Sequence, residues 1–414
     1  MMDLVIKNIR TLATPEGRSA KAGQEQGEIR FLDDAAIGIE GGKFAYIGKG
    51  GPPFCGKIEI DARGALATPG LVDSHTHLIF GGWRQKELSM KLAGASYMDI
   101  LKRGGGILDT AAQTRRASKG ELTMKAEKTL KQMMGFGVTA VEAKSGYGLD
   151  LETEVKQLEA ARDLNISQKA SVVPTYLGAH AVPLEFSSSS DYVSFILSEA
   201  LPEVARLGLA EFCDVFCEPG AFSASQSRKM LVRARELGFK LKIHADELES
   251  SGGAELAAEL GLISAEHLIA ASDAGIKALA DKKVIATILP GTSFYLGKPY
   301  ARARKMIDEG VAVAVATDFN PGSCPSPNIN FAMTLASIKC GMSPSEVLAA
   351  ATLNGAAALC RAEESGSVEI GKRADLVLWD APDLDYIIYR FGINLVQMTI
   401  KDGEICHQSD AFNL

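Results

Sequence analysis

Histidines and acidic residues recur at the ends of apolar stretches in this sequence. His75 and His77 stand two positions apart in GLVDSHTHL, a spacing that puts both imidazoles on one side of a strand. His244 closes FKLKIHADE, and Asp318 closes VAVAVATD. Three imidazoles and one carboxylate suit zinc, iron or a similar first-row metal and leave a position for water. We therefore predict one metal site with the ligands His75, His77, His244 and Asp318.

The number of histidines at these positions matters, because a single histidine more often has a structural role. Of the six histidines in the chain, only His407 lies away from the ends of the apolar stretches. His180 closes ASVVPTYLGAH, and His267 follows GLISAE. A purely structural role would have to account for all five of the others, so the pattern favours metal binding.

The elements that must position these residues alternate between strand-like and helix-like segments. Eight apolar runs, from LATPGLVDSHTHL to VAVAVATDFNPGS, end in polar or glycine-containing turns. Between them lie amphipathic segments such as LETEVKQLEAARDL, with apolar positions three and four apart. Strands alternating with helices predict parallel βα units, and eight units predict a closed (β/α)₈ barrel of the α/β class. Active sites of such barrels lie at the carboxyl ends of the strands.

Both ends of the chain have a different pattern. Segments such as AAIGIEGGKFAYIG near the start and NLVQMTIKDGEICH near the end alternate apolar and polar residues between glycines. We predict that residues 1–66 and 367–414 form one small composite β-sandwich domain, and that residues 67–366 form the catalytic barrel.

Composition and charge restrict the class of partner. Hydrophobic residues make up 46% of the 414 residues and charged residues 23%, as in packed globular proteins. The net charge is −7, without a basic run, so we expect no nucleic-acid partner. An anionic small molecule would need a local cation rather than the overall field.

The cysteines and the N-terminus bear on cellular location. Seven scattered cysteines without a CxxC pair predict reduced thiols and a cytoplasmic protein. Cys213 and Cys217 are a second candidate for metal binding, which their apolar strand-like surroundings disfavour. Asp3 and Lys7 interrupt any signal-peptide core, and no apolar run is long enough for a membrane span.

The motifs resemble a known family. GLVDSHTHL, HADE and ATDFNPGS are similar to the amidohydrolase superfamily, as is the GKRADLVLWD tail. Within it, HTHLIFGGWRQKELSMKLAGASYMDILKRGGGI, EAKSGYGLDLETE, LGAHAVP, DVFCEPGAFS and ATDFNPGSCPS resemble the imidazolonepropionase family of histidine degradation. The resemblance implies hydrolysis of the cyclic amide bond of 4-imidazolone-5-propanoate to N-formimidoyl-L-glutamate by metal-activated water. It also implies a homodimer.

The resemblance carries over residue by residue. The family's metal ligands fall on the four residues predicted above. Its contacts to the small anionic substrate fall on Arg84, Tyr147, His180, Glu247, Asn320, Gly322 and Ser323. Glu247, three residues after His244, would carry the proton to the departing ring nitrogen. Asp318 would serve as ligand and base, and His267 would polarise the carbonyl or stabilise the oxyanion.

Several alternatives stay open. His267 could instead be structural, Arg84 could be a surface charge, and Asn320 to Ser323 could be only a turn. Lys144 ends the second run, where some amidohydrolases carry a carbamylated lysine between two metals, but HADE favours a single metal. The glycines at 104–106 lack the GK[ST] of a phosphate-binding loop, so we expect a flexible loop over the site. A deaminase of a heterocycle would share the metal site, and a non-catalytic binding barrel is the third possibility.

Overall fold

The computed structural model describes residues 1–94, 99 and 104–412. Most of the segment ASYMDILKR, and the start of the loop expected around the three glycines, lie outside these residues. Sixteen strands occur in the described part. In chain order they are β1 (Met2–Thr14), β2 (Arg30–Glu40), β3 (Lys43–Lys49), β4 (Gly56–Asp61), β5 (Leu66–Pro69), β6 (Leu71–Asp73), β7 (Val138–Lys144), β8 (Ser171–Ala179), β9 (Phe212–Cys217), β10 (Lys240–Ala245), β11 (Ser264–His267), β12 (Ile285–Ile288), β13 (Val313–Val315), β14 (Leu376–Trp379), β15 (Val396–Lys401) and β16 (Glu404–Gln408).

The central strands form a parallel barrel. β6 to β13 pair in chain order, each with the next, and they correspond to the eight predicted runs. Closure occurs just beyond β6 and β13, where Asp318 N donates to His75 O at 3.0 Å and His77 N donates to Phe319 O at 2.9 Å. The predicted barrel is confirmed. Its seam passes through three of the four predicted metal ligands, so closing the barrel also brings them together.

Helices cover the outside of the barrel. Their N-termini carry the expected caps: Ser118 and Glu121 form a capping box, and Asp150 accepts from Thr153 N at 2.7 Å. The α-helices span Lys86–Leu92, Ile107–Arg116, Lys119–Gly135, Leu151–Ser167, Ser189–Phe195, Leu201–Leu207, Ala224–Glu236, Gly253–Leu260, Asp273–Lys282, Pro290–Leu296, Ala303–Asp308, Ile329–Cys340, Pro344–Ala351, Leu353–Ala358 and Leu384–Tyr389.

The two chain ends build one mixed sheet. Its order is β16-β15-β14-β5-β1-β2-β3, with β4 beside β1. The long strand β1 has a positive φ of 59° at Asn8 and shifts its register there, so its first half pairs with β4 and its second half with β5. Residues from both ends share one buried apolar cluster, among them Ile6, Ile37 and Leu376. The composite domain is confirmed, while its boundaries at 66 and 367 stay a prediction.

No helix in the described part of the chain combines the length and the apolar character that are needed to cross a membrane.

Candidate metal centre and active site

Four predicted ligands meet at the carboxyl ends of the barrel strands. The candidate ligand atoms of His75, His77 and His244 all lie within 4.8 Å of one another, and all three side chains are buried. Asp318 Oδ1 lies 3.5 Å from His75 Nε2 and 3.5 Å from His77 Nε2. Ligand atoms about 2.0–2.1 Å from a tetrahedral ion are separated by about 3.4 Å. The two distances from Asp318 Oδ1 match this separation, and the histidine nitrogens are close enough together to share one first-row metal ion.

Unsatisfied nitrogen atoms support the same conclusion. The Nε2 atoms of His75 and His244 are buried and have no hydrogen-bond partner within the described part of the chain. Buried polar atoms normally find a partner, so two such nitrogens facing one space point to a ligand between them. His267 with His75 and Asp318 forms a second possible donor group, which leaves both a ligand role and a catalytic role open to His267.

Carboxylates behind the histidines set the orientation of the rings. His75 Nδ1 contacts Glu266 Oε2, and His244 Nδ1 lies 2.9 Å from Asp214 Oδ2. A neutral ring that gives its Nδ1 proton to a carboxylate presents the Nε2 lone pair to a metal. Burial lowers the pKa of His75 well below its ordinary value, and it does the same for His77, so both rings are neutral, as metal ligation would require. For His244, Asp214 outweighs burial and raises the pKa.

Two buried lysines balance these carboxylates below the site. Lys144 Nζ lies 2.7 Å from Asp214 Oδ2 and 2.9 Å from Glu142 Oε2. Lys242 Nζ lies 3.0 Å from Glu142 Oε1 and 3.5 Å from Glu266 Oε1. None of these five side chains is accessible to solvent. Charges buried without partners would cost several kcal/mol each, so the barrel interior holds them as a linked set.

The position of Lys144 bears on the number of metals. Burial works against its charge, but Asp214, Glu142 and Glu266 together raise the pKa of Lys144 above its ordinary value. Carbamylation requires the neutral amine, whereas this side chain is an ammonium held by carboxylates. The geometry therefore favours the single-metal prediction. The alternative pair Cys213 and Cys217 packs in the apolar core that includes the helix layer, and neither cysteine occurs in a candidate metal group of the described residues.

Glu247 and His267 lie next to each other beside the candidate metal ligands. His267 Nε2 lies 3.5 Å from Glu247 Oε2, and the Glu247 side chain is 13% exposed. Burial, with the nearby charge of Asp318, raises the pKa of Glu247 to about 8, while burial keeps His267 neutral by lowering its pKa. Burial also raises the pKa of Asp318 to about 6. A carboxyl group with a pKa near neutrality is suited to general acid–base work.

Backbone geometry brings these side chains into the mouth of the barrel. His267 has a φ of 70° and Asp318 a φ of 55°, in the left-handed region that costs a non-glycine residue about 1 kcal/mol or more. Adjacent residues of a regular strand face opposite sides, yet Glu266 and His267 both face His75. The left-handed conformation at the strand end accounts for this arrangement.

Arg84 lies at the side of the site, with one edge of its guanidinium already occupied. Arg84 Nε and Nη2 donate to Glu87 Oε1 and Oε2, both at 2.9 Å. Glu87 is buried and also accepts from Gly106 N at 2.6 Å, at the end of the three-glycine segment. A Cβ at Gly322 would overlap Arg84 Nη1, so glycine at 322 makes room for the guanidinium. The predicted substrate fork would have to use the other edge.

The remaining predicted contacts divide into a ring cluster and a turn. His180 stacks on His77 with ring centroids 4.9 Å apart, and Tyr147 lies 5.3 Å from His180. His180 Nδ1 donates to Gly146 O at 2.9 Å. Asn320 Oδ1 accepts from Gly322 N and Ser323 N at 2.8 and 2.7 Å, which makes the segment a side-chain-stabilised turn. All predicted site residues lie near one mouth, and their roles stay predictions.

Sequence analysis missed the residues that hold these groups. Two of these residues could have been found from the sequence, because each is a charged residue within an otherwise apolar strand and stands two positions before another polar residue. Glu142 stands two before Lys144, and Lys242 two before His244. Glu218, which directly follows β9 and contacts Glu247 N, had no such signal. The missed residues are Glu87, Glu142, Asp214, Glu218, Lys242 and Glu266.

Comparison with known proteins agrees with this site. The sequence model described as the amidohydrolase family matches residues 66–406, so the chain belongs to that family. An imidazolonepropionase of Alkaliphilus metalliredigens (strain QYMF) is 50% identical over 414 residues, covering 98% of both chains. An imidazolonepropionase of Bacillus thuringiensis (strain Al Hakam) is 48% identical over 412 residues, covering 98% of this chain and 97% of that one. These similarities place the chain in the imidazolonepropionase branch of the family.

Solved structures show the same fold at low sequence identity. Atrazine chlorohydrolase from Arthrobacter aurescens TC1, complexed with zinc, has a TM-score of 0.71 at 20% identity and covers 97% of this chain and 94% of its own. Guanine deaminase of E. coli has a TM-score of 0.73 at 15% identity, covering 98% and 99%. At such identities the likeness concerns the fold alone.

Proposed function

We propose that this protein is a metal-dependent hydrolase that opens the ring of 4-imidazolone-5-propanoate to give N-formimidoyl-L-glutamate in histidine degradation. One observation carries the proposal: histidine and aspartate side chains that could hold a first-row metal, the Glu247 carboxyl group and Arg84 lie together at one barrel mouth. The 50% identity to an imidazolonepropionase along nearly the whole chain supports the choice of substrate.

One ion, zinc or iron, would be held by His75, His77, His244 and Asp318. The same nitrogen and oxygen donors accept either metal. When bound, the ion supplies a Lewis acid and lowers the pKa of a coordinated water toward about 7. The protein orients two of the ligands through Glu266 and Asp214, and Thr292 Oγ1 donates to Asp318 Oδ2 at 2.5 Å.

Glu247 would move the proton in this reaction. Cleavage of the cyclic amide leaves a ring nitrogen that must be protonated. In the metal-free protein, a pKa of about 8 keeps most Glu247 carboxyl groups protonated at pH 7. Its backbone is fixed by Glu218, so the carboxyl group reaches the site from a held position. His267, neutral and 3.5 Å from Glu247, is placed to donate to the carbonyl oxygen as negative charge develops.

Arg84 would bind the propionate tail with the guanidinium edge that faces away from Glu87. Tyr147, His180 and the turn Asn320–Ser323 would complete the pocket around the ring and tail. Because the protein has a net charge of −7, the tail gains nothing from the overall field and depends on cations at the site.

The test is incubation of the purified, metal-loaded protein with freshly made imidazolonepropionate. We expect loss of ring absorbance together with formation of N-formimidoyl-L-glutamate, and no ammonia. Ammonia release would identify a deaminase, and absence of any turnover would favour a binding barrel. Glu247→Gln, expected to retain the metal, is the matched control against contaminating activity.

The proposal also includes the cellular location and the oligomeric state of the protein. A cytoplasmic homodimer acting on a small anionic metabolite is what the sequence pattern and the family resemblance favour. Size-exclusion chromatography with light scattering measures the oligomeric state directly.

A further inference from the structure

Three charged side chains lie on the side of the site that would meet the substrate tail: Arg84, Glu87 and Lys91. Arg84 and Glu87 form a bidentate pair, and their charges cancel. Glu87 is only 4% exposed, so solvent screens the pair weakly. An incoming carboxylate would therefore meet a guanidinium that can still donate hydrogen bonds but whose charge is shared with Glu87, so a second cation nearby would add to its attraction.

Lys91 changes this balance. Its Nζ lies 3.9 Å from Glu87 Oε2, one helical turn further along the helix Lys86–Leu92, which is too far for a direct hydrogen bond. The same Nζ donates to Gly322 O at 3.0 Å, and the Lys91 side chain is 25% exposed. Lys91 therefore adds a second cation to the Arg84–Glu87 pair, beside the turn Asn320–Ser323.

Gly322 brings the two cations to one place. Its carbonyl oxygen accepts from Lys91, and the position a Cβ would take at 322 overlaps Arg84 Nη1. Arg84 and Lys91 therefore border the same residue, on the turn that follows Asp318 at the end of the eighth barrel segment.

We propose that Lys91 is a second cation that recognises the carboxylate tail of the substrate, beside Arg84 and across Gly322 from it. The proposal rests on the proposed function above and specifies how that substrate is selected. An ammonium group has three donors, and Gly322 O takes one of them. Glu87 acts as a positioning residue that holds the Arg84 guanidinium through two hydrogen bonds.

Burial supports the proposal. Burial and the neighbouring Arg84 lower the pKa of Lys91 below its ordinary value. A partly desolvated cation next to another cation gains more from a bound anion than a solvated one does.

The experiment measures turnover and binding with two tails. Substrates are imidazolonepropionate and the same ring with a propyl tail, which ends in a methyl group. Binding probes are 4-imidazolepropionate and 4-propylimidazole, which lack the scissile carbonyl and report affinity by calorimetry without turnover. The variants are Lys91→Met, Lys91→Arg and, as a matched control, Lys86→Met, which removes the same charge from an exposed position of the same helix.

We expect Lys91→Met to lower kcat/KM on imidazolonepropionate about tenfold, mainly through KM, and to weaken 4-imidazolepropionate to a similar degree. The propyl compounds and the metal content should change less than about twofold, and Lys91→Arg should recover most of the loss. Equal losses on both tails, an equal loss in Lys86→Met, or no loss would overturn the proposal. If 4-imidazolepropionate binds in a Lys91-dependent way but imidazolonepropionate is not turned over, Lys91 would still recognise the tail and the proposed function would be wrong.

Discussion

The metal side and the tail side of this site are built in different ways. The candidate metal ligands lie at the ends of barrel strands and along the barrel seam, and the buried charged side chains of Glu142, Lys144, Asp214, Lys242 and Glu266 lie behind them. The tail side consists of Arg84, Glu87 and Lys91, on a loop and a short helix, which meet the turn at Gly322.

We infer that the metal side supplies the hydrolytic chemistry and that the tail side selects the substrate. The barrel itself determines the metal side, because the hydrogen bonds that close the barrel involve His75, His77 and Asp318. The tail side depends on a few side chains outside the strands. We therefore expect removal of a candidate metal ligand to abolish activity on every substrate, removal of a charge behind a ligand to weaken metal binding, and changes on the tail side to affect only substrates with an anionic tail.

The largest effect is expected from removal of a metal ligand. His244→Ala should lose the ion and fall by about 10⁶-fold or more, toward the uncatalysed rate, because the water is no longer activated. Metal analysis and turnover measure the two losses together. His407→Ala, which changes a histidine outside the site, should retain metal and activity. A metal-free His244→Ala protein with parental kcat would contradict the assignment.

The next effect concerns the proton. Glu247→Gln should retain metal and fold but lose about 10²–10⁴-fold in kcat, the usual contribution of a positioned acid or base. Steady-state kinetics on the metal-loaded variant measure the loss. A kcat within a few-fold of the parent would assign the proton transfer to another group.

A smaller and selective effect is expected at Arg84. Charge-assisted hydrogen bonds contribute about 1.5–3 kcal/mol, so Arg84→Met should lose about 10- to 150-fold in kcat/KM on imidazolonepropionate. The propyl-tailed substrate should be nearly unaffected. Arg84→Lys should recover only part, because a point charge does not reproduce the guanidinium fork. Equal losses on the two substrates would mean that Arg84 supports the fold or the metal site.

The smallest of these effects concerns a residue behind a ligand. Asp214→Asn should weaken metal affinity by about 10- to 100-fold, because His244 loses the carboxylate that orients its ring. Competition with a chelator of known affinity measures the change. Asp281→Asn, on the exposed helix Asp273–Lys282, is the matched control. Unchanged affinity in Asp214→Asn would remove Asp214 from the metal site.

The sequence was most informative where the barrel itself does the positioning. The eight apolar runs of the sequence correspond to the eight strands of the barrel. The spacing of His75 and His77 predicts that both side chains lie on one side, because side-chain direction in a strand repeats every two residues. Both chain ends were also assigned to one small domain from their alternation. These inferences depend on the order of residues within one segment, which sets the direction of its side chains whatever the rest of the chain does.

The sequence was least informative about pairs formed across the barrel or between loops. Glu266 meets His75 from a position 191 residues away in the chain, and no local pattern encodes that contact. The sequence predicts Arg84 as a substrate contact, which stays a prediction, but it does not indicate that Glu87 pairs with the guanidinium. Asn320 was predicted as a substrate contact, yet its side chain also builds the turn.

Reconstitution of the metal-free protein tests the central claim most directly. Zinc or iron(II) would be added in steps to the chelated protein, and N-formimidoyl-L-glutamate formed from imidazolonepropionate would be measured at each step. We predict negligible product without metal and a linear rise that stops at one ion per chain. Full activity without metal, a requirement for two ions per chain, or a metal-saturated protein that leaves the ring intact would contradict the account.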